Sequence, residues 1–331
     1  MSNPIFIARQ DTLEQEILPA HWLAQYKLFG EESYTFQDKG IWKKLCMSSA
    51  AANDRDIHAE ALEEMLTTFS AEHTGKWMLL VYGTNAAALE GLATMAAIAA
   101  NGTAMGAIVD NALLMHAIAN SETAMQRIAN SQTAMQRVAN NTTAMDAISG
   151  SKIARGAVQA SPYYDAKIKE NDMAIAKLVV GFANLESARY SGCAGMAADS
   201  TAMTAVAASS TAMTAVAASA TAMGKIAAVD AALSKLAAST TAMDALYARK
   251  KQMKGGSASK SGKFIILEIS QSNAFNTSKY GYATLSDGSK PDWSSYLAKY
   301  AFFQKYPKYA TYMLNDTDSD DYIYYFDIAS P

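Results

Sequence analysis

The chain has 331 residues, a formal net charge of −3 and 50 % hydrophobic residues, much of that fraction being alanine. Such a length permits two or three domains, but an alanine-rich apolar fraction does not by itself imply a large compact core. No basic stripe marks a nucleic-acid partner, and no uncharged apolar run is long and hydrophobic enough to span a membrane.

The first residues, Met1-Ser2-Asn3-Pro4-Ile5, lack a basic segment followed by an apolar one, so no secretory signal is expected. Cys46 and Cys193 lie far apart and read as buried thiols, which fits synthesis in a reducing cytoplasm. Around Trp22, Tyr26, Phe29, Tyr34, Phe36 and Trp42 the aromatics are dense enough for a small packed module. Residues 54–73 read as an amphipathic helix, with Ile57, Leu62, Met65, Leu66 and Phe69 on one side. The segment 76–82 suits either a strand or a degenerate first repeat. Residues 1–92 together form an N-terminal module.

From residue 93 the chain turns periodic. Met95, Met105, Met115, Met125, Met135 and Met145 recur at a step of ten, answered three places later by Ile98, Ile108, Ile118, Ile128, Val138 and Ile148. A second array carries Met203, Met213, Met223, Leu233 and Met243, answered by Val206, Val216, Ile226, Leu236 and Leu246. Alanine and methionine are strong helix formers, and the Ser, Asn and Thr that precede each unit favour N-caps. A single continuous helix is excluded by the period: at about 100° per residue, ten residues leave each Met–Ile pair roughly 80° behind the last. Each repeat therefore predicts a short helix of about two turns followed by a tight polar turn. Such helices are marginal alone and must stack on one another. The expected fold is mainly α: an elongated solenoid of short helices, with a small N-terminal module and an α+β C-terminal domain. A β-solenoid is the competing reading, weakened by the scarcity of β-branched residues.

The first array spans 93–160. Residues 161–192 read as a helical spacer with Ile168, Ile175, Leu178, Val179 and Phe182 as its apolar set, and the second array spans 193–248. Residues 249–262 combine a basic run, 249–254, that suits a helix C-terminus or contact with an anionic surface, with a Gly/Ser stretch of flexible-linker composition. The remainder, 263–331, opens on the strand signal Phe264-Ile265-Ile266-Leu267 and holds ten of the seventeen tyrosines.

No catalytic machinery stands out. The four histidines, His21, His58, His73 and His116, have no metal-ligand spacing. Asp316, Asp318, Asp320 and Asp327 echo the oxygen-rich spacing of a calcium loop, although Asp321 stands where the sharp turn requires glycine. The alternative is a solvated acidic loop, and no other cofactor is indicated. Tyr296, Tyr309, Tyr312, Tyr322 and Tyr324 are candidates for a binding surface, because tyrosine is rigid and amphipathic. Against that, Tyr296, Tyr300 and Phe303 fit the core stripe of one helix over 293–306.

Runs such as Ser210-Thr211-Ala212-Met213-Thr214-Ala215-Val216-Ala217-Ala218-Ser219 resemble the decapeptide repeats of bacteriophage tail-fibre and other virion appendage proteins. The resemblance covers the two arrays, somewhat over a third of the chain. It implies a non-enzymatic virion structural protein of the tail or baseplate, made in the host cytoplasm. Its implied partners are other virion proteins, further copies of itself and a host cell-surface molecule, with no nucleic acid and no membrane insertion. A head decoration protein and a polysaccharide-degrading tailspike are the alternatives.

Overall fold

A computed structural model describes residues 55–67, 74–82, 86–270, 281–293, 297–316 and 321–331. The aromatic module expected around Trp22 to Trp42, together with Cys46, His21 and His73, lies outside the described residues. The described parts are mainly helical, with one antiparallel sheet near the C-terminus. The chain divides into two compact units, Met1–Ile168 and Lys169–Pro331.

In the first unit the helices are α1 (Arg55–Thr67), α2 (Thr74–Tyr82), α3 (Ala86–Leu89), α4 (Met95–Ala100), α5 (Gly102–Val109), α6 (Ala112–Asn120), α7 (Glu122–Ala129), α8 (Gln132–Ala139), α9 (Thr142–Gly150), α10 (Lys152–Gln159) and α11 (Tyr164–Lys167). The ambiguous segment 76–82 is thus helical, and of the amphipathic segment residues 55–67 form α1, the rest lying outside the described residues. One or two residues join successive repeat helices, the last of them extended. Ser131 (φ −113°, ψ 119°) shows how. Its N–H closes the preceding helix on the Ile128 carbonyl at 3.1 Å, and its own carbonyl accepts the Met135 N–H at 2.9 Å to open the next. Its hydroxyl accepts the Ala134 N–H at 3.3 Å and donates to the Ala99 carbonyl at 2.6 Å. Orphan groups at the ends of two different helices are thereby satisfied by one side chain.

That last bond recurs. Ser151 donates to the Ala119 carbonyl and Ser161 to the Ala129 carbonyl, each thirty-two residues back. The packing has the same stride: α4 lies on α7, α5 on α8, α6 on α9, α7 on α10 and α8 on α11. Consecutive helices turn sharply, by 104° between α5 and α6. Each helix buries the face that faces its neighbours; in α7 this is Ala124, Met125, Ile128 and Ala129. Alanine permits close approach of the backbones while methionine fills the irregular space left over.

The second unit continues with α12 (Asp172–Phe182), a 3₁₀ turn (Ser187–Arg189), α13 (Cys193–Ala198), α14 (Ser200–Ala208), α15 (Ser210–Ala218), α16 (Ala220–Ala227), α17 (Asp230–Ala237) and α18 (Thr240–Tyr247). Here α12 lies on α15, α13 on α16, α14 on α17 and α15 on α18, and α14 and α15 are bent by 101°. Ser239 repeats the thirty-two-residue bond, donating to the Ala207 carbonyl.

The single spacer helix expected over 161–192 is not what forms. Ser161 and Asn171 are cap residues in phase with 101 to 151, so the repeat runs on into α12 with Ile175 in the methionine place. The break comes after Phe182, where an insertion displaces later caps to 199, 209, 219, 229 and 239. It is pinned at two points. Lys177 occupies the repeat position at which the long side chains Arg127 and Arg137 are exposed to solvent. Here it is fully buried and donates to the Ser187 carbonyl at 3.0 Å. Asp172 accepts the Cys193 N–H at 3.1 Å, and burial first, then the Asp172 carboxylate, pushes the Cys193 thiol well above its ordinary range.

Residues 249–262 are also not a loose linker. They supply β1 (Lys251–Lys254) and the start of β2 (Ala258–Ser270); β3 (Gly281–Leu285), β4 (Asp292–Trp293), β5 (Ala310–Asn315) and β6 (Tyr322–Asp327) complete the sheet. The order is β1-β6-β2-β5-β3-β4 with every neighbouring pair antiparallel. β2 serves two partners: residues 258–264 pair with β5 and residues 264–270 with β6. At the change of partner stands Gly262 with φ +155°, where the register to β5 shifts; a side chain there would run into the Phe264 ring. Phe264, Ile266, Ile269, Trp293, Phe302 and Met313 form the sheet's core. The helix expected over 293–306 shrinks to α19 (Ala301–Lys305), because Trp293 belongs to β4, Leu297 bridges Ile269, and Tyr300 is left-handed at φ +72°.

Candidate recognition surface

Along β6 the side chains alternate: Ile323 and Tyr325 enter the core, while Tyr322 and Tyr324 face outward, half-buried. The outward rings lie 6.3 Å apart with 26° between their planes. On the edge strand β1, Lys254 stands opposite Tyr322 and Gln252 opposite Tyr324, both exposed. On the other side β2 places Ser270 opposite Tyr322 and Glu268 opposite Tyr324.

The end of α18 extends this row. Tyr247 lies 6.3 Å from Tyr324 and 5.7 Å edge-on from Tyr300, and its hydroxyl donates to Glu268 Oε2 at 2.5 Å. Two ammonium groups cover its ring, Lys250 at 4.1 Å and Lys299 at 4.3 Å from the centroid; Lys250 also lies 5.8 Å from the Tyr324 ring. Asp244, one turn earlier on α18, accepts from the Tyr300 hydroxyl and from Lys299 at 3.1 Å. A second tie runs from Lys308 to Asp230 of α17 at 2.7 Å.

These contacts set the protonation states. The bond from Tyr300 and then Lys299 hold the Asp244 carboxyl below its ordinary range. Burial, reinforced by Glu268, raises the Tyr247 phenol, and burial followed by Asp244 raises that of Tyr300. The row thus combines phenols with the Glu268 and Asp244 carboxyl groups and lysine side chains. Lys250, Lys254, Lys260, Lys263 and Lys305 have no carboxylate within ion-pair distance among the described residues. Four of them, all but Lys254, lie over aromatic rings instead.

The tyrosines singled out in the sequence are only partly brought together. Tyr322 and Tyr324 share the row. Tyr312 packs on Tyr282 at 5.7 Å, Tyr309 lies under Lys263 at 5.5 Å, and Tyr296 is outside the described residues. Among the candidate calcium ligands, Asp318 and Asp320 are outside the described residues. Asp316 accepts the Ser257 hydroxyl, whereas Asp327 accepts the Ala329 N–H at 3.2 Å and faces Lys251 at 3.5 Å. Among the described residues no three His, Cys, Asp or Glu side chains form a metal-binding group. His58 is buried against the Tyr82 hydroxyl at 3.1 Å, and His116 meets Asn120 within α6.

Sequence reading placed Lys250 in a basic run able to touch an anionic surface, and missed Tyr247, Glu268, Lys299 and Asp244. Tyr247 left a signal: it stands where the earlier repeats of the second array carry alanine.

Compared with protein-family models and with curated proteins, the chain matches none.

Proposed function

We propose that the chain is a non-catalytic structural spacer that presents a contact module. Its ten-residue repeats, each a short helix and a corner, wind three to a turn into a solenoid, and the tyrosine-rich sheet is the part that meets a partner. On the resemblance of the Thr-Ala-Met repeats, its setting is a bacteriophage particle, as a tail-fibre or baseplate-associated component. The observation that carries the spacer reading is the stride of three helices, with serine hydroxyls reaching a carbonyl thirty-two residues back. Nearest-neighbour stacking of this kind lets length grow by repetition without enlarging a central core.

Two experiments test the two halves of this reading. Small-angle scattering from the purified chain is expected to give a profile longer than that of a globule of its mass; a globular profile overturns the spacer. Immunogold electron microscopy of purified particles is expected to place the chain on the tail or baseplate. Its absence from virions overturns the phage assignment.

A further inference from the structure

We infer that the outward face of β1 and β6, with the end of α18, is a docking surface for an acidic polysaccharide. The inference rests on the contact-module reading above and names what that module holds. Tyr322 and Tyr324 present two nearly parallel, half-exposed rings, while Tyr247, its ring covered by Lys250 and Lys299, closes the row beyond Tyr324. Flat aromatic faces of this kind cover the C–H faces of sugar rings, burying apolar surface while the phenols remain wet. Gln252, Ser270 and Glu268 stand beside the rings in the strand register, supplying donors and acceptors for ring hydroxyls. Lys250 and Lys254 flank the row without a carboxylate partner among the described residues, and each offers an incoming acid group an N–H donor.

The residues named also select among acidic polymers. A nucleic-acid strand draws its affinity from many phosphates neutralised along a continuous basic track. This row instead interleaves its lysines with Glu268 and Asp244, which a dense phosphate backbone would meet as repulsion. An acidic sugar chain instead carries its carboxylates on saturated rings, whose C–H faces can lie on the tyrosines while the carboxylates meet the lysines.

The test uses the full chain and three probes: polygalacturonate, neutral dextran and single-stranded oligothymidylate. Affinity electrophoresis is expected to show retardation by polygalacturonate, with little by dextran or the oligonucleotide. The double variant Lys250→Glu, Lys254→Glu is expected to bind about ten-fold or more weakly, the scale of losing charge-assisted contacts. Lys305→Glu, a single reversal on α19, is expected to stay within about two-fold, since unspecific attraction through net charge is weak at moderate salt. Unchanged circular dichroism melts confirm that the exposed substitutions leave the fold intact; Tyr322→Ala, melted likewise, tests the ring. No retardation by polygalacturonate, equal retardation by the oligonucleotide, or equal loss in Lys305→Glu overturns the inference. Each leaves the spacer and particle assignments to their own experiments.

Discussion

The repeat helices and the tyrosine-rich sheet solve the same problem, stabilising short elements, by opposite means. A repeat helix takes its partners at fixed separations: its cap from its own corner residue, its packing from the third helix along, its second bond from thirty-two residues back. The sheet has no such stride. Its longest strand changes partner at one glycine, and its link to α18 depends on pairs such as Tyr247–Glu268 and Tyr300–Asp244 that occur once. Redundancy protects the first design, while the second concentrates its risk at a few residues.

That contrast is open to breaking. The largest effect is expected where a repeat knob is removed: Met213→Ala, at a fully buried site, should cost about 2–5 kcal/mol by chemical denaturation, whereas Met213→Leu should cost less than about 1.5. Hydrogen exchange should localise the damage to helices stacked around α15; loss of protection spread evenly over the sheet would contradict nearest-neighbour stacking. Gly262→Ala should cost about 1–3 kcal/mol, because φ +155° disfavours a side chain and the Phe264 ring occupies its place. Here exchange should quicken in β2, β5 and β6 while the repeat helices keep their protection.

A smaller loss is expected from Ser239→Ala, which removes both the cap of α18 and the bond to the Ala207 carbonyl. About 1–2 kcal/mol is expected, read as a lowered Tm; no change would mean that the thirty-two-residue bond is incidental. The mildest probe is acid. The carboxyls of Asp199, Asp244 and Asp287 are held below their ordinary range, chiefly by the Ala202 N–H, the Tyr300 hydroxyl and the Ser289 hydroxyl respectively. Depressed folded-state values stabilise the fold fully above the unfolded carboxylate value of about 4, and that share is lost as pH falls through the folded values. A melt series descending from neutral pH should show the loss below about pH 4. It should be smaller in Asp244→Asn; an identical series for that variant would remove Asp244 from the account.

The repeat helices were legible in sequence because the period of ten and the Ser, Asn and Thr corners state the same thing twice. Their continuation through 161–182 was hidden because Asp165 and Ile175 replace methionine, although Ser161 and Asn171 kept the corner. Lys177 could not be read as buried, since its burial depends on an insertion that folds back over it. The sheet suffered most. Gly/Ser composition at 255–262 suggested looseness, but the strand pairing that fixes Lys251 to Lys254 lies about seventy residues away along the chain. For the same reason the tyrosine row was only half visible, with Tyr322 and Tyr324 in the clustered tail and Tyr247 concealed at the end of a repeat.

The short corners between repeat helices have a consequence for how such a chain can change over generations. Every extra decapeptide would swing whatever follows it by a bend of 101° to 104°, as between α5 and α6 or α14 and α15. Three in succession would bring the heading most of the way round again. On the proposed solenoid, duplications of thirty residues would therefore turn the terminal domain less than duplications of ten, while adding more span.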